Sequence, residues 1–194
     1  MKIVLVHGFN VRDGGRGTVD QLSWLIRDDG YKVDLDEGDY GFFTIWMIRF
    51  KKSKIRQRVL YRLAKTFETA QVIITHSNGA HFCTEALELL PTAYNNTKIV
   101  IHISPALDRD TEIPLAVRQQ LVMHTPHDKA VKLASWIPFN HPWGRMGAKG
   151  YSGDDNRNTN LEVPEVKGHS RWFKVDHVVQ TWKSCKAFIE EHSK

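Results

Sequence analysis

The stretch Gln71-Val72-Ile73-Ile74-Thr75-His76-Ser77-Asn78-Gly79-Ala80 constrains the fold of this chain more than any other segment. A β-branched apolar run ends in a cluster of small polar residues, and a helical pattern follows without a spacer. Two elements of different period joined so tightly leave Ser77 on a sharp strand-to-helix turn. Such a turn lifts a hydroxyl clear of the backbone and sets the N–H of the next residue beside it. A candidate nucleophile and half of an oxyanion hole then share one short segment, which points to acyl-transfer chemistry, most simply hydrolysis.

The rest of the chain alternates strands with helices. Ile3 to Val6 is a continuous apolar strand, as expected when both faces are buried. Gly14, Gly15 and Gly17 mark a loop. Thr18 with Gln21 reads as a capping box for a helix that buries Val19, Leu22, Leu25 and Ile26 and stops at Gly30. Further strands are expected at Tyr31–Leu35, Gln71–Thr75, Lys98–Ile103, Leu121–His124 and Leu161–Val166, the last an edge strand because of Pro164. Further helices are expected at the basic amphipathic segment around Ile55 to Phe67, at Asn78–Leu90 and at Val175–His192. Residues 136–160, rich in Gly, Pro, Asn and Asp, read as a long loop, and 42–48 has no firm assignment.

This order predicts a three-layer α/β/α sandwich, with a mainly parallel central sheet of about six strands in one domain over 1–194. In such sheets ligands bind beyond the carboxyl ends of the strands. His7-Gly8-Phe9, Ser77, Asp128 and His169 all follow expected strands, so they should gather along one edge.

A serine hydroxyl needs a base, and the base needs an orienting carboxylate. Ser77 as a plain helix cap would leave the small residues Asn78 and Gly79 unexplained. His169, in Gly168-His169-Ser170 between a strand and the last helix, is the candidate base; His177 is the reserve, expected inside the closing helix. Asp128 is the candidate orienter, although it would also serve as a helix cap. Asp108, and after it Asp110, could take the same role. The backbone N–H groups of Phe9 and Asn78 are the candidate oxyanion donors, with Gly8 permitting an unusual turn before Phe9.

Together, Val6-His7-Gly8-Phe9, the elbow Thr75-His76-Ser77-Asn78-Gly79 and the order Ser77, Asp128, His169 resemble the α/β-hydrolase family over nearly the whole chain. The resemblance implies a cofactor-free serine hydrolase but does not fix its substrate; a small-molecule or lipid acyl ester is expected because esters have good leaving groups and need nothing beyond the triad. Two departures stand out. Thr75 occupies a position usually held by Gly, and two strands that usually precede the His-Gly motif are missing. The chain therefore looks like a compact member without a large lid, with at most a small flap at 40–56 or 136–160.

Other chemistries have little support. No His-Glu-x-x-His or paired-Cys spacing is present, and His124 with His127 lacks a third ligand, so no metal is expected. No phosphate loop or dinucleotide fingerprint follows a strand. Cys83 and Cys185 fall in expected helices and read as reduced thiols; with no signal peptide or membrane span apparent, the expected location is cytoplasmic. The net charge is +5 and the pI about 9.2, with much basic charge between Arg49 and Lys65. That segment reads as a solvated helix face or as a contact for an anionic surface. Two further readings use the same residues. One is a non-catalytic binding protein on this fold. The other is an acyl hydrolase that meets lipid through the basic, aromatic segment 46–65.

Overall fold

A computed structural model describes residues 1–8, 16–34, 38–39, 53–134 and 143–193. Phe9, most of the candidate flap 40–56 with the aromatic segment 46–52, and the first part of the candidate flap 136–160, at 136–142, lie outside the described residues. Among the described residues, six strands form one sheet in the order β2-β1-β3-β4-β5-β6, and every neighbouring pair is parallel. The strands are β1 (Lys2–Val6), β2 (Lys32–Asp34), β3 (Val72–His76), β4 (Lys98–Ile103), β5 (Val117–His124) and β6 (Asn158–Glu162). Among the described residues the helices are α1 (Ser23–Asp28), α2 (Lys54–Thr69), α3 (Gly79–Glu88), α4 (Lys129–Ala134), α5 (Met146–Lys149) and α6 (Val178–His192).

Alternate side chains of each central strand enter opposite cores. Val4, Val6, Ile73, Val100 and Val122 pack with Leu63 and Phe67 of α2 and Phe82 and Leu87 of α3. Ile3, Leu5, Val72, Ile74, Ile101 and Met123 pack with Ile26 of α1 and Trp182, Cys185 and Ile189 of α6. Both faces of the sheet are covered, which is why the central strands read as unbroken apolar runs.

Several elements differ from the sequence reading for local reasons. Thr18 makes no side-chain cap; Val19–Leu22 is a short 3-10 turn leading into α1. β5 begins four residues earlier than its apolar run, because Gln120 is buried and bonds to Asn158 across the sheet, at 3.0 Å. β6 also lies earlier than Leu161–Val166: its residues are mostly polar, as an edge strand allows, and Pro164 falls beyond it. The long loop 136–160 contains α5 and the start of β6. His177 is not inside the last helix but is its N-cap residue.

The basic segment is less uniform than its composition suggests. Lys54, Arg58, Arg62 and Lys65 are exposed, but Arg56 is buried against Glu85, the His81 ring at 3.1 Å and the Phe82 face. Lys98 is also buried, with Nζ donating to the carbonyls of Glu68 (3.1 Å) and Ala70 (2.8 Å) at the end of α2. A cation there satisfies carbonyls that the helix leaves unpaired. Burial lowers the pKa of Lys98, and Glu68 partly offsets this.

The connection order reverses between β1 and β3: from β1 the chain steps outward to β2, then crosses to β3 on the other side. A crevice opens at such a reversal. His7-Gly8 and Ser77 follow the two strands that flank it.

Candidate active site

Ser77 sits between β3 and α3 with φ of 56°, in the left-handed region that residues with a Cβ rarely adopt. Two backbone bonds hold it there: its N–H donates to Ile103 O (3.2 Å), and its carbonyl accepts from Ala106 N–H (3.1 Å). The turn can close because Gly79 has no side chain; a Cβ there would stand 2.3 Å from His7 O. Gly8 matters for the same reason, and the turn expected after it, at Phe9, lies outside the described residues. Gly8 has no left-handed φ, but a Cβ on it would lie 3.0 Å from Ser77 Cβ and 3.2 Å from His76 Nδ1. The His7 ring steadies this loop, with Nδ1 2.8 Å from Gly8 O and Nε2 2.7 Å from Asp39 Oδ1.

Asp128 and His169 meet across the end of β5. Asp128 Oδ2 accepts from His169 Nδ1 at 2.7 Å, and Oδ1 accepts from Val131 N–H at 3.0 Å. One oxygen of Asp128 thus meets the His169 ring and the other caps the turn that follows. Asp128 is wholly buried, while the His169 side chain keeps 19% of its exposure. Gly168, at φ of 138°, turns the chain into His169. Thr125 Oγ1 donates to Val166 O (2.7 Å) and ties that loop to the Asp128 turn. Asp108 is placed elsewhere: it packs against Gly144 and lines a cavity with Arg109, Asp110 and Trp143.

His76 is the residue that the sequence reading passed over. Its Nε2 donates to His169 O at 3.2 Å, and the two rings lie 4.7 Å apart. Burial, and then the neighbouring His169, hold its pKa well below the usual histidine value, so the ring is neutral. His76 thus links the Ser77 turn to the His169 loop. Among the described residues, Ser77 Oγ and His169 Nε2 make no hydrogen bond to each other or to any other group. Asn78 is buried at the start of α3, and its Oδ1 accepts from Trp143 Nε1 at 2.6 Å.

Thr75 is explained by its neighbour on β4. Burial pushes the His102 pKa down to about 4, and Gln120 bonds to its ring and partly opposes that shift. The neutral ring accepts at Nδ1 from Thr75 Oγ1 (2.7 Å), leaving the Nε2 proton for Gln120. Gln120 Nε2 in turn donates to Asn158 Oδ1 at 3.0 Å. One directed row of hydrogen bonds runs from beneath the elbow to the sheet edge.

This arrangement is the α/β-hydrolase fold, with a serine on its sharp β3–α3 turn and a histidine–carboxylate pair nearby. No protein-family model and no curated protein matches the sequence. Solved structures do match. A protein of the alpha/beta hydrolase superfamily from Xanthomonas campestris pv. campestris is 17% identical, with a TM-score of 0.55 over 98% of this chain and 98% of that one. A pyrethroid hydrolase from Sphingobium faniae JZ-2 is 11% identical, with a TM-score of 0.59 over 99% of this chain and 98% of that one. A monoacylglycerol lipase from Paleococcus ferrophilus is 12% identical, with a TM-score of 0.54 over 97% of this chain and 92% of that one. At these identities the likeness is one of fold. Among the described residues, no helix is long and apolar enough to cross a membrane.

Proposed function

We propose that this chain is a serine hydrolase that cleaves a carboxylic ester or thioester and acts as one domain without a cofactor. The observation that carries this reading is the left-handed Ser77 on the β3–α3 turn, beside a His169 held by buried Asp128. Ser77 Oγ adds to the acyl carbonyl as its proton passes to His169 Nε2. Asp128 keeps Nδ1 protonated and supports the imidazolium that forms. The backbone N–H groups of Asn78 and Phe9 hold the oxyanion. Collapse of the tetrahedral species breaks the C–O or C–S bond, and His169 returns its proton to the leaving alcohol or thiol. Water, deprotonated by the same ring, then frees the acid from Ser77. Hydrolases and a lipase among the structural neighbours support an acyl ester as substrate. Cys83 and Cys185, buried and unbridged, suit a reducing cytoplasm.

Intact-mass spectrometry after fluorophosphonate treatment tests this reading. One adduct on the wild type and none on Ser77→Ala is the expected result. The missing Ser77–His169 hydrogen bond favours one alternative, a binding protein that never activates its serine. A folded wild type that takes no adduct would select it.

A further inference from the structure

Ser77 and His169 stand on turns far apart in the chain, and proton transfer between them needs their separation fixed to within about 0.5 Å. The chain around His169 does not fix it. Gly168, at φ of 138°, is a pivot: among the described residues a Cβ there would meet only the Arg171 side chain, 3.4 Å away. Thr125 holds the loop at Val166 O, which lies before that pivot. Asp128 holds the imidazole at its far nitrogen. The main chain of His169 itself, past the pivot, is held by His76, whose Nε2–H donates to His169 O at 3.2 Å.

His76 is well placed to be an anchor. It is the last residue of β3, pairs with Ile103 of β4 and is 2% exposed. Its ring lies 4.7 Å from the His169 ring at 39°, and the Phe173 ring meets it edge-on at 4.9 Å. It is also the residue bonded directly to Ser77. One rigid side chain therefore refers the main chain of the proposed base to the strand that carries the proposed nucleophile.

Packing alone does not call for histidine here. Nδ1 faces Gly8 and has no hydrogen-bond partner among the described residues. A buried nitrogen of this kind is costly, and a phenylalanine would fill the same space without one. The nitrogen on the other side of the ring is the one in use. The ring also suits its place by being neutral, since burial and the nearby His169 hold its pKa well down. A positive charge beside His169 would oppose the imidazolium that forms there during acyl transfer. We infer that His76 is a positioning residue: its Nε2–H fixes the His169 main chain and so sets the reach of that imidazole to Ser77. This inference rests on the serine hydrolase reading for its kinetic consequence, but not for its structural one.

Three variants separate the N–H from the ring. The amide of His76→Gln reaches about as far as Nε2, that of His76→Asn falls short, and His76→Phe keeps a ring without a donor. His76→Gln should keep kcat for an ester within about threefold, while His76→Asn and His76→Phe should lose about ten- to hundredfold with little change in KM. The opposite order, with His76→Phe above both amides, would assign the ring to packing and overturn the inference, as would equal kcat in all three. If His76→Phe does not fold, the Gln and Asn pair decides. A second readout needs no ester. In full-length Ser77→Ala protein, the downfield proton resonance of His169 Nδ1–H should persist with His76 or Gln and exchange about tenfold faster or more with Asn or Phe. Equal protection in all four proteins would overturn the inference. Loss with rescue by Gln, in a protein whose wild type takes no fluorophosphonate adduct, would keep His76 as the anchor and reject the hydrolase reading instead.

Discussion

The Asp128 carboxylate is shared between His169 Nδ1, at 2.7 Å on one oxygen, and the first turn of α4 on the other. A single buried acid thus orients a ring and caps a helix, and the two roles can be separated. Asparagine keeps an oxygen for the Val131 N–H but cannot support an imidazolium. Asp128→Asn should therefore lower ester turnover by about two to four orders of magnitude, with a much smaller change in Tm. Asp108→Asn should leave kcat within about twofold, since Asp108 faces another cavity. A larger loss from Asp108→Asn in the same steady-state assay would reverse the assignment.

Ser77 occupies a left-handed conformation at φ of 56°. A left-handed backbone costs an ordinary residue about 1–2 kcal/mol, and glycine escapes that cost at some loss of unfolded-state entropy. Ser77→Gly should therefore abolish ester hydrolysis while unfolding no earlier than the wild type in a thermal melt. A clear fall in Tm would mean that the serine is not strained there.

Thr75 and His102 form a buried pair that can be broken without changing shape. Thr75→Val removes the hydroxyl and leaves His102 Nδ1 without its donor. A buried acceptor stripped of its partner costs about 1–3 kcal/mol. Denaturant titration should show that loss for Thr75→Val and little of it for Thr75→Ser. Equal stability of all three proteins would remove the directed row as an explanation for Thr75.

The same row makes stability depend on pH. His102 has a pKa near 4 in the folded protein, below the 6.5 of a free histidine, and the His76 pKa is also lowered. Between those values the unfolded chain takes up protons that the native state refuses. Stability is then full above about pH 6.5 and falls as the pH drops toward 4. Urea midpoints measured from pH 7 to 4 should follow this course, with a shallower slope for His102→Asn. A midpoint that rises on acidification would contradict the assignment of both rings as neutral.

The elements and the serine turn were legible in the chain because their causes are local. An apolar β-branched run, a small-residue cluster and a helical stripe specify their own geometry within ten residues, and Ser77 lies where they meet. Strand ends were less legible where polar side chains were buried by partners across the sheet, as with Gln120 and Asn158. The choice of Asp128 over Asp108 as the partner of His169 was not written in either aspartate's neighbourhood, since both follow strands. It was decided when parallel pairing of β4, β5 and β6 set one carboxylate beside the His169 loop and turned the other toward Gly144. His76 and Arg56 make the same point. One looks like a motif spacer and the other like a surface charge, yet packing against distant segments buries both. Local sequence determined which elements form and which hydroxyl is presented. Only the tertiary structure decided which buried polar groups meet, because a hydrogen bond between residues far apart in the chain depends on distances that no short segment encodes.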